Sequence, residues 1–189
     1  LRKSKDSDFY ERLLNEEELM RYYRGRFAGR NDVMIRQITE LMPDEAHIVD
    51  VAAGSSYIAE HLLQDDRVAS YDWNDFNPKL QSLVRRRVQD ERFTIYPFDL
   101  DADDYRLDQY NVLVGVSMEH LEKDLECVEK MPRGSIISVC SPDLIDPAHV
   151  RHFNCMSEML ERYEPYIDVK LSEEYKAGVT KFILTGYRK

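Results

Sequence analysis

The run HIVDVAAGSSYIAEHL at residues 47–62 constrains this chain more than any other part of it. Ile48, Val49 and Val51 make an apolar, β-branched stretch suited to a strand covered on both faces. Residues 52–56 are all small, so the backbone can turn sharply and a ligand can approach it closely. Ile58, Ala59 and Leu62 then fall at helical spacing. A strand buried on both faces needs helices above and below it, which points to an α/β sheet with parallel strands. The unpaired N–H groups of the first helical turn can hold polar ligand atoms. An ordinary strand-to-helix turn of an α/β protein is the alternative to a nucleotide-cradling one.

The rest of the chain continues the alternation. Residues 11–23 and 32–41 read as two helices, the second stopped by Pro43, and form an N-terminal helical cap over residues 1–43. The helix that starts near Ser56 is followed by a strand at 68–73, a helix at 78–88 and a strand at 93–98. A fourth strand at 111–116 leads to a helix through Leu121, Leu125 and Val128, and a fifth strand at 135–140 follows Arg133 and Gly134. Residues 147–163 read as a helix, and strands at 167–171 and 181–187 flank a turn at Ala177 and Gly178. The expected architecture is a doubly wound sheet, mostly parallel with a C-terminal antiparallel hairpin, and helices on both faces. No repeat or linker divides residues 1–189, which read as one domain with a core at 44–189.

Composition excludes several classes. With 43% hydrophobic and 33% charged residues the chain reads as globular, and no apolar run approaches the roughly 20 residues of a membrane span. Cys127, Cys140 and Cys155 are odd in number and lack CxxC spacing, so a reducing, cytoplasmic setting is expected. The chain opens on Leu1 rather than Met, so a trimmed chain or one domain of a larger protein is expected. A net charge of −10 argues against nonspecific binding of long nucleic acid. The first 30 residues differ, with eight Lys or Arg against six Asp or Glu. There Tyr22, Tyr23, Arg24, Arg26 and Phe27 combine aromatic faces with guanidinium groups, a mixture that can stack on a ring and pair with an anion. A solvated charged face is the plainer reading.

Residues 47–62 resemble the first motif of class I S-adenosylmethionine-dependent methyltransferases, with Asp50 at the acidic position and Gly54 at the central glycine. Ala52 and Ser56 stand where that family usually has glycine. The resemblance, of the small-molecule or glycan type, covers residues 44–189 and implies a Rossmann-like fold with S-adenosyl-L-methionine as cofactor. It implies cofactor contacts from Asp50, Ala52, Ala53 and Gly54. Asp75, in an Asp-x-Asn-Pro context similar to the second motif, stands where an α/β nucleoside site needs a carboxylate for the ribose hydroxyls. Phe76 accompanies it, while Asp72 is close enough to be the ribose ligand and leave Asp75 as a helix cap. Asp99 and Leu100, after the third strand, match the family's adenine site. The run Asp99, Asp101, Asp103 and Asp104 can also be a solvated acidic loop, and it lacks a calcium-hand pattern, so no metal is expected.

After the fourth strand, Ser117 joins the cofactor set, and Glu119 and His120 resemble the Glu-His-Leu signature of small-molecule and glycan methyltransferases. The Asn/Asp-Pro-Pro-aromatic motif of base- and glutamine-methylating enzymes is absent, which favours an oxygen acceptor. His120, or Glu119, is the candidate to take the acceptor's hydroxyl proton. His149 and His152, i and i+3 at the start of the expected helix, are candidates to line the acceptor pocket or merely share a helix face. Together these imply O-methylation of a small molecule or carbohydrate, with an RNA methyltransferase or a noncatalytic S-adenosylmethionine-binding module as alternatives. A dinucleotide oxidoreductase would need GxGxxG, and Tyr57 stands at the third glycine. The kinase GxxxxGK[ST] and hydrolase GxSxG patterns are absent.

Overall fold

The computed structural model describes residues 16–75, 77–96, 105–147 and 149–189, without the side chains of 16, 17, 19, 20 and 22–27. Helix α1 (Glu16–Leu41) precedes β1 (Ala46–Val51), α2 (Tyr57–Leu62), β2 (Val68–Trp73), α3 (Pro78–Arg87), β3 (Phe93–Ile95) and β4 (Val112–Gly115). A single 3-10 turn (Met118–His120) leads to α4 (Asp124–Lys130), β5 (Ile136–Pro142), α5 (Met156–Tyr163), β6 (Ile167–Ala177) and β7 (Val179–Arg188). The strands form one sheet in the order β3-β2-β1-β4-β5-β7-β6. The first five are parallel, and β7 pairs antiparallel with both β5 and β6. This is the doubly wound sheet with a terminal hairpin that the alternation predicts.

The two-residue period of the strands sorts the core into two layers. Ile48, Val112, Val114 and Trp73 pack on one face with Met34 and Ile38 of α1, Ile58 and Leu62 of α2, and Val84 of α3. Val49, Val51, Leu113 and Ile137 face the other way, against Cys127 and Val128 of α4 and Met159 and Tyr163 of α5. A buried polar chain fastens α1 to the sheet: Thr185 Oγ1 donates to Gln37 Oε1 at 2.7 Å and lies 2.9 Å from Ser138 Oγ. Among the described residues no helix is long and apolar enough to cross a membrane.

Three expectations are corrected. The N-terminal region is one continuous helix from 16 to 41 rather than two, passing through Gly25 and Gly29. Each glycine inside a helix costs it about 1 kcal/mol relative to alanine. Tertiary packing uses the gap instead: a Cβ on Gly29 would sit 2.1 Å from the hydroxyl of Tyr175 on β6. The helix expected over 147–163 begins only at Met156, and Leu121 lies outside α4. The chain before α5 is held irregular by partners far away in sequence. Val150 N–H donates to the Glu119 carbonyl at 2.9 Å, and Arg151 donates to the carbonyls of Leu121 and Glu122.

Candidate functional site

The strand order reverses direction between β1 and β4, and in open α/β sheets ligands bind outside the carboxyl ends of the strands at such a point. The small-residue turn after β1 and the Ser117–His120 turn after β4 flank it. Ala52 and Gly54 both have positive φ, 51° and 64°. Among the described residues a Cβ on Gly54 would meet nothing within 4 Å, so the backbone there faces open space. The turn is joined to the end of β2, since Ala53 N–H donates to the Asn74 carbonyl at 3.0 Å and Asn74 N–H to the Asp50 carbonyl at 2.8 Å.

Asp75 stands beside that glycine. Its Oδ2 accepts from Gly54 N–H at 2.9 Å and its Oδ1 from Asn77 N–H at 2.8 Å. The α3 cap is Asn77, whose side chain accepts from Lys79 N–H, so Asp75 is not the capping residue. Asp72, the rival carboxylate, accepts from the Tyr110 hydroxyl within β2 rather than at its carboxyl end. Phe76, Asp99 and Leu100 lie outside the described residues, as do the side chains of Tyr22, Tyr23, Arg24, Arg26 and Phe27.

Asp50 is fully buried beneath the turn, a support rather than an exposed contact. Its Oδ2 accepts from the Tyr71 hydroxyl at 2.7 Å, and its Oδ1 has no partner among the described residues. Burial pushes its carboxyl up to about 8; the Tyr71 hydrogen bond opposes that rise, Asp75 adds to it and Arg30 opposes it. Arg30 is a residue the sequence did not single out as a ligand contact, although it closes the arginine-aromatic run. It is 6% exposed and donates from Nη1 to the Val116 carbonyl at 3.3 Å, which carries a positive charge from α1 to the ends of β4 and β5. Burial also pushes the neighbouring Cys140 thiol up to about 11, with Arg30 acting against that shift.

Beyond β4 the structure brings together Glu119, His120 and His149. Glu119 Oε1 lies 3.8 Å from His120 Nε2 and 4.0 Å from His149 Nε2, and the two imidazoles meet edge to face with centroids 4.7 Å apart. Burial lowers the His149 pKa, Glu119 opposes the shift, and His120 deepens it. His149 reaches this place from a loop, so the helical spacing with His152 does not exist. His152 turns away, with Nε2 3.2 Å from Asn154 Oδ1, and lines a separate hollow with Phe153, Arg162 and Tyr166. Ser117 bounds the turn, its carbonyl accepting from His120 N–H at 3.2 Å.

No protein-family model matches the sequence. A component of the NADH-quinone oxidoreductase of Rickettsia conorii is 26% identical over 196 residues, covering 93% of this chain and 49% of that protein. The chain thus spans about half the length of the curated relatives it matches. Among solved structures, the N-methyltransferase NodS from Bradyrhizobium japonicum, in complex with S-adenosyl-l-homocysteine, superposes with a TM-score of 0.74 at 10% identity, covering 98% of this chain and 99% of that chain. A TehB-like SAM-dependent methyltransferase from Corynebacterium glutamicum gives 0.65 at 16% identity, over 92% and 98%. The cyclase SpnF gives 0.67 at 10% identity, over 84% and 80%. The chain therefore has the class I S-adenosylmethionine-dependent methyltransferase fold over nearly its whole length.

Proposed function

We propose that this chain binds S-adenosyl-L-methionine across the β1–β4 crevice and directs methyl transfer to a hydroxyl of a small molecule or carbohydrate. The observation that carries the reading is the Gly54–Asp75 junction: a positive-φ glycine over which no described residue closes, held at 2.9 Å by a carboxylate just past β2. Ala52, Ala53 and Gly54 would lie against the amino-acid part of the cofactor and Asp75 would accept from its ribose hydroxyls. Phe76, Asp99, Leu100 and Ser117 complete the proposed set, and Arg30 is added to it as a partner for the cofactor's carboxylate. The bound cofactor would supply an electrophilic methyl group on a sulfonium.

The chain's own part is to align the acceptor and to promote loss of its proton. Glu119 and His120 stand at the carboxyl end of β4, where that proton would be released, and His149 completes the wall. Helical spacing puts positions 23, 26 and 27 on the same side of α1 as Arg30. The proposal keeps Tyr22, Tyr23, Arg24, Arg26 and Phe27 as acceptor-binding residues of the N-terminal cap on their aromatic and guanidinium chemistry.

The oxidoreductase likeness has no counterpart at the site, since Tyr57 occupies the third glycine position of a dinucleotide turn and the three cysteines are dispersed. The SpnF likeness makes a fold-mate without methyl transfer the competing reading, and isotope decides between them. Incubation with methyl-labelled S-adenosylmethionine and a panel of phenols, sugars, amines and RNA should place label on a hydroxyl. Label on nitrogen would overturn the acceptor class, and S-adenosylhomocysteine binding without transfer to any acceptor would favour the binding module.

A further inference from the structure

We propose that Glu119, His120 and His149 form a binding site for one divalent transition-metal ion, a proposal that rests on the β1–β4 crevice being the site of methyl transfer. One donor atom from each residue lies within 4.8 Å of the other two. A four-coordinate ion with bonds near 2.0–2.1 Å would bring such atoms to about 3.3 Å, which side-chain rotations can supply.

The local hydrogen bonding points the same way. His149 Nδ1 lies 2.9 Å from the Leu144 carbonyl, which can only accept, so the ring proton sits on Nδ1. The Nε2 lone pair is then turned toward Glu119 Oε1, acceptor facing acceptor. Glu119 is 4% exposed, and its Oε2 has no hydrogen-bond partner among the described residues. A buried carboxylate in that position needs an electropositive occupant. A histidine whose other nitrogen donates to a backbone carbonyl is the usual orientation for a metal ligand.

Two imidazoles and one carboxylate suit borderline ions such as Zn²⁺, Co²⁺ or Fe²⁺ better than Mg²⁺ or Ca²⁺. Three protein ligands leave a coordination position for an acceptor oxygen. A hydroxyl bound there becomes more acidic, and its proton passes to solvent water, with His120 serving as a ligand.

The test uses metal-free protein titrated with Zn²⁺ by calorimetry and with Co²⁺ by visible absorption. One equivalent should bind, Co²⁺ should give visible bands, and Glu119→Gln, His120→Ala and His149→Ala should each weaken binding at least about tenfold. Equal Zn²⁺ affinity in the wild type and all three variants, or no Zn²⁺ binding at millimolar concentration, would overturn the site. S-adenosylhomocysteine titrated into the same samples separates the two readings. Retained binding of it by metal-free protein, without Zn²⁺ binding, overturns the metal alone. Zn²⁺ bound through these residues without S-adenosylhomocysteine binding keeps the metal and overturns the methyl-transfer reading.

Discussion

Arg151 and Asp124 lie 2.9 Å apart in a side-chain cluster that ties the loop before α5 to the start of α4. Asp124 is fully buried at the start of α4 and also accepts from Nε and Nη2 of Arg162 and from the Tyr163 hydroxyl of α5. Through Arg151 it fixes the loop that carries His149 against the turn that carries Glu119.

Loss of that carboxylate leaves two arginines without their shared partner in a largely buried setting. Asp124→Ala should cost about 3 to 5 kcal/mol in urea unfolding. A loss below about 1 kcal/mol would show that the cluster is an ordinary surface pairing.

The left-handed Ala52 carries steric strain that glycine does not. Ala52→Gly should raise stability by up to about 1 kcal/mol, the relief being partly offset by the greater freedom of the unfolded chain. A lower unfolding midpoint would mean that the methyl group of Ala52 packs more favourably than its backbone is strained.

Cofactor binding should depend on the turn and its carboxylate. Gly54→Asp fills the space over the backbone and should abolish S-adenosylhomocysteine binding in calorimetry. Asp75→Ala should weaken it by about 1 to 3 kcal/mol. Unchanged affinity in both folded variants would sink the assignment.

Asp50 should make stability fall with rising pH. The unfolded aspartate titrates near 3.8 and the folded one near 8, so between these values only the unfolded chain gives up its proton. This contribution is fully present below the lower value and is lost as pH rises through the upper one. Asp50→Asn lacks the step, so its unfolding free energy relative to wild type should climb between about pH 4.5 and about pH 8. A difference independent of pH would contradict the buried, protonated carboxyl.

His120→Ala should lower turnover roughly 100-fold at unchanged S-adenosylhomocysteine affinity. Wild-type turnover in the variant, on an acceptor found by labelling, would remove His120 from the chemistry.

Much of this protein can be read along the chain. The strand at 68–73 is found where Val68, Tyr71 and Trp73 put it, and α3 starts at Pro78 behind Asn77, as cap and proline rules require. The turn at Gly178, with φ 77°, separates the last two strands as expected. Such features depend on neighbours a few residues away. Consecutive parallel strands bring the ends of β1 and β2 together, which is why Gly54 and Asp75, expected separately as cofactor contacts, meet at one junction.

What the sequence by itself determined is therefore the β/α alternation from β1 onward, a mostly parallel sheet with its terminal hairpin, and the small-residue turn after β1, all set by local periodicity and turn chemistry. The tertiary structure decided the rest. It kept α1 unbroken through Gly29 because Tyr175 occupies the missing side chain's space, and it unwound the chain before α5 because Glu119 and the Arg151 partners compete for its backbone and side chains. It also parted His149 from His152 and set His149 beside Glu119 and His120. Those outcomes depend on contacts between residues about 30 to 150 positions apart, and no local pattern encodes their distance or direction.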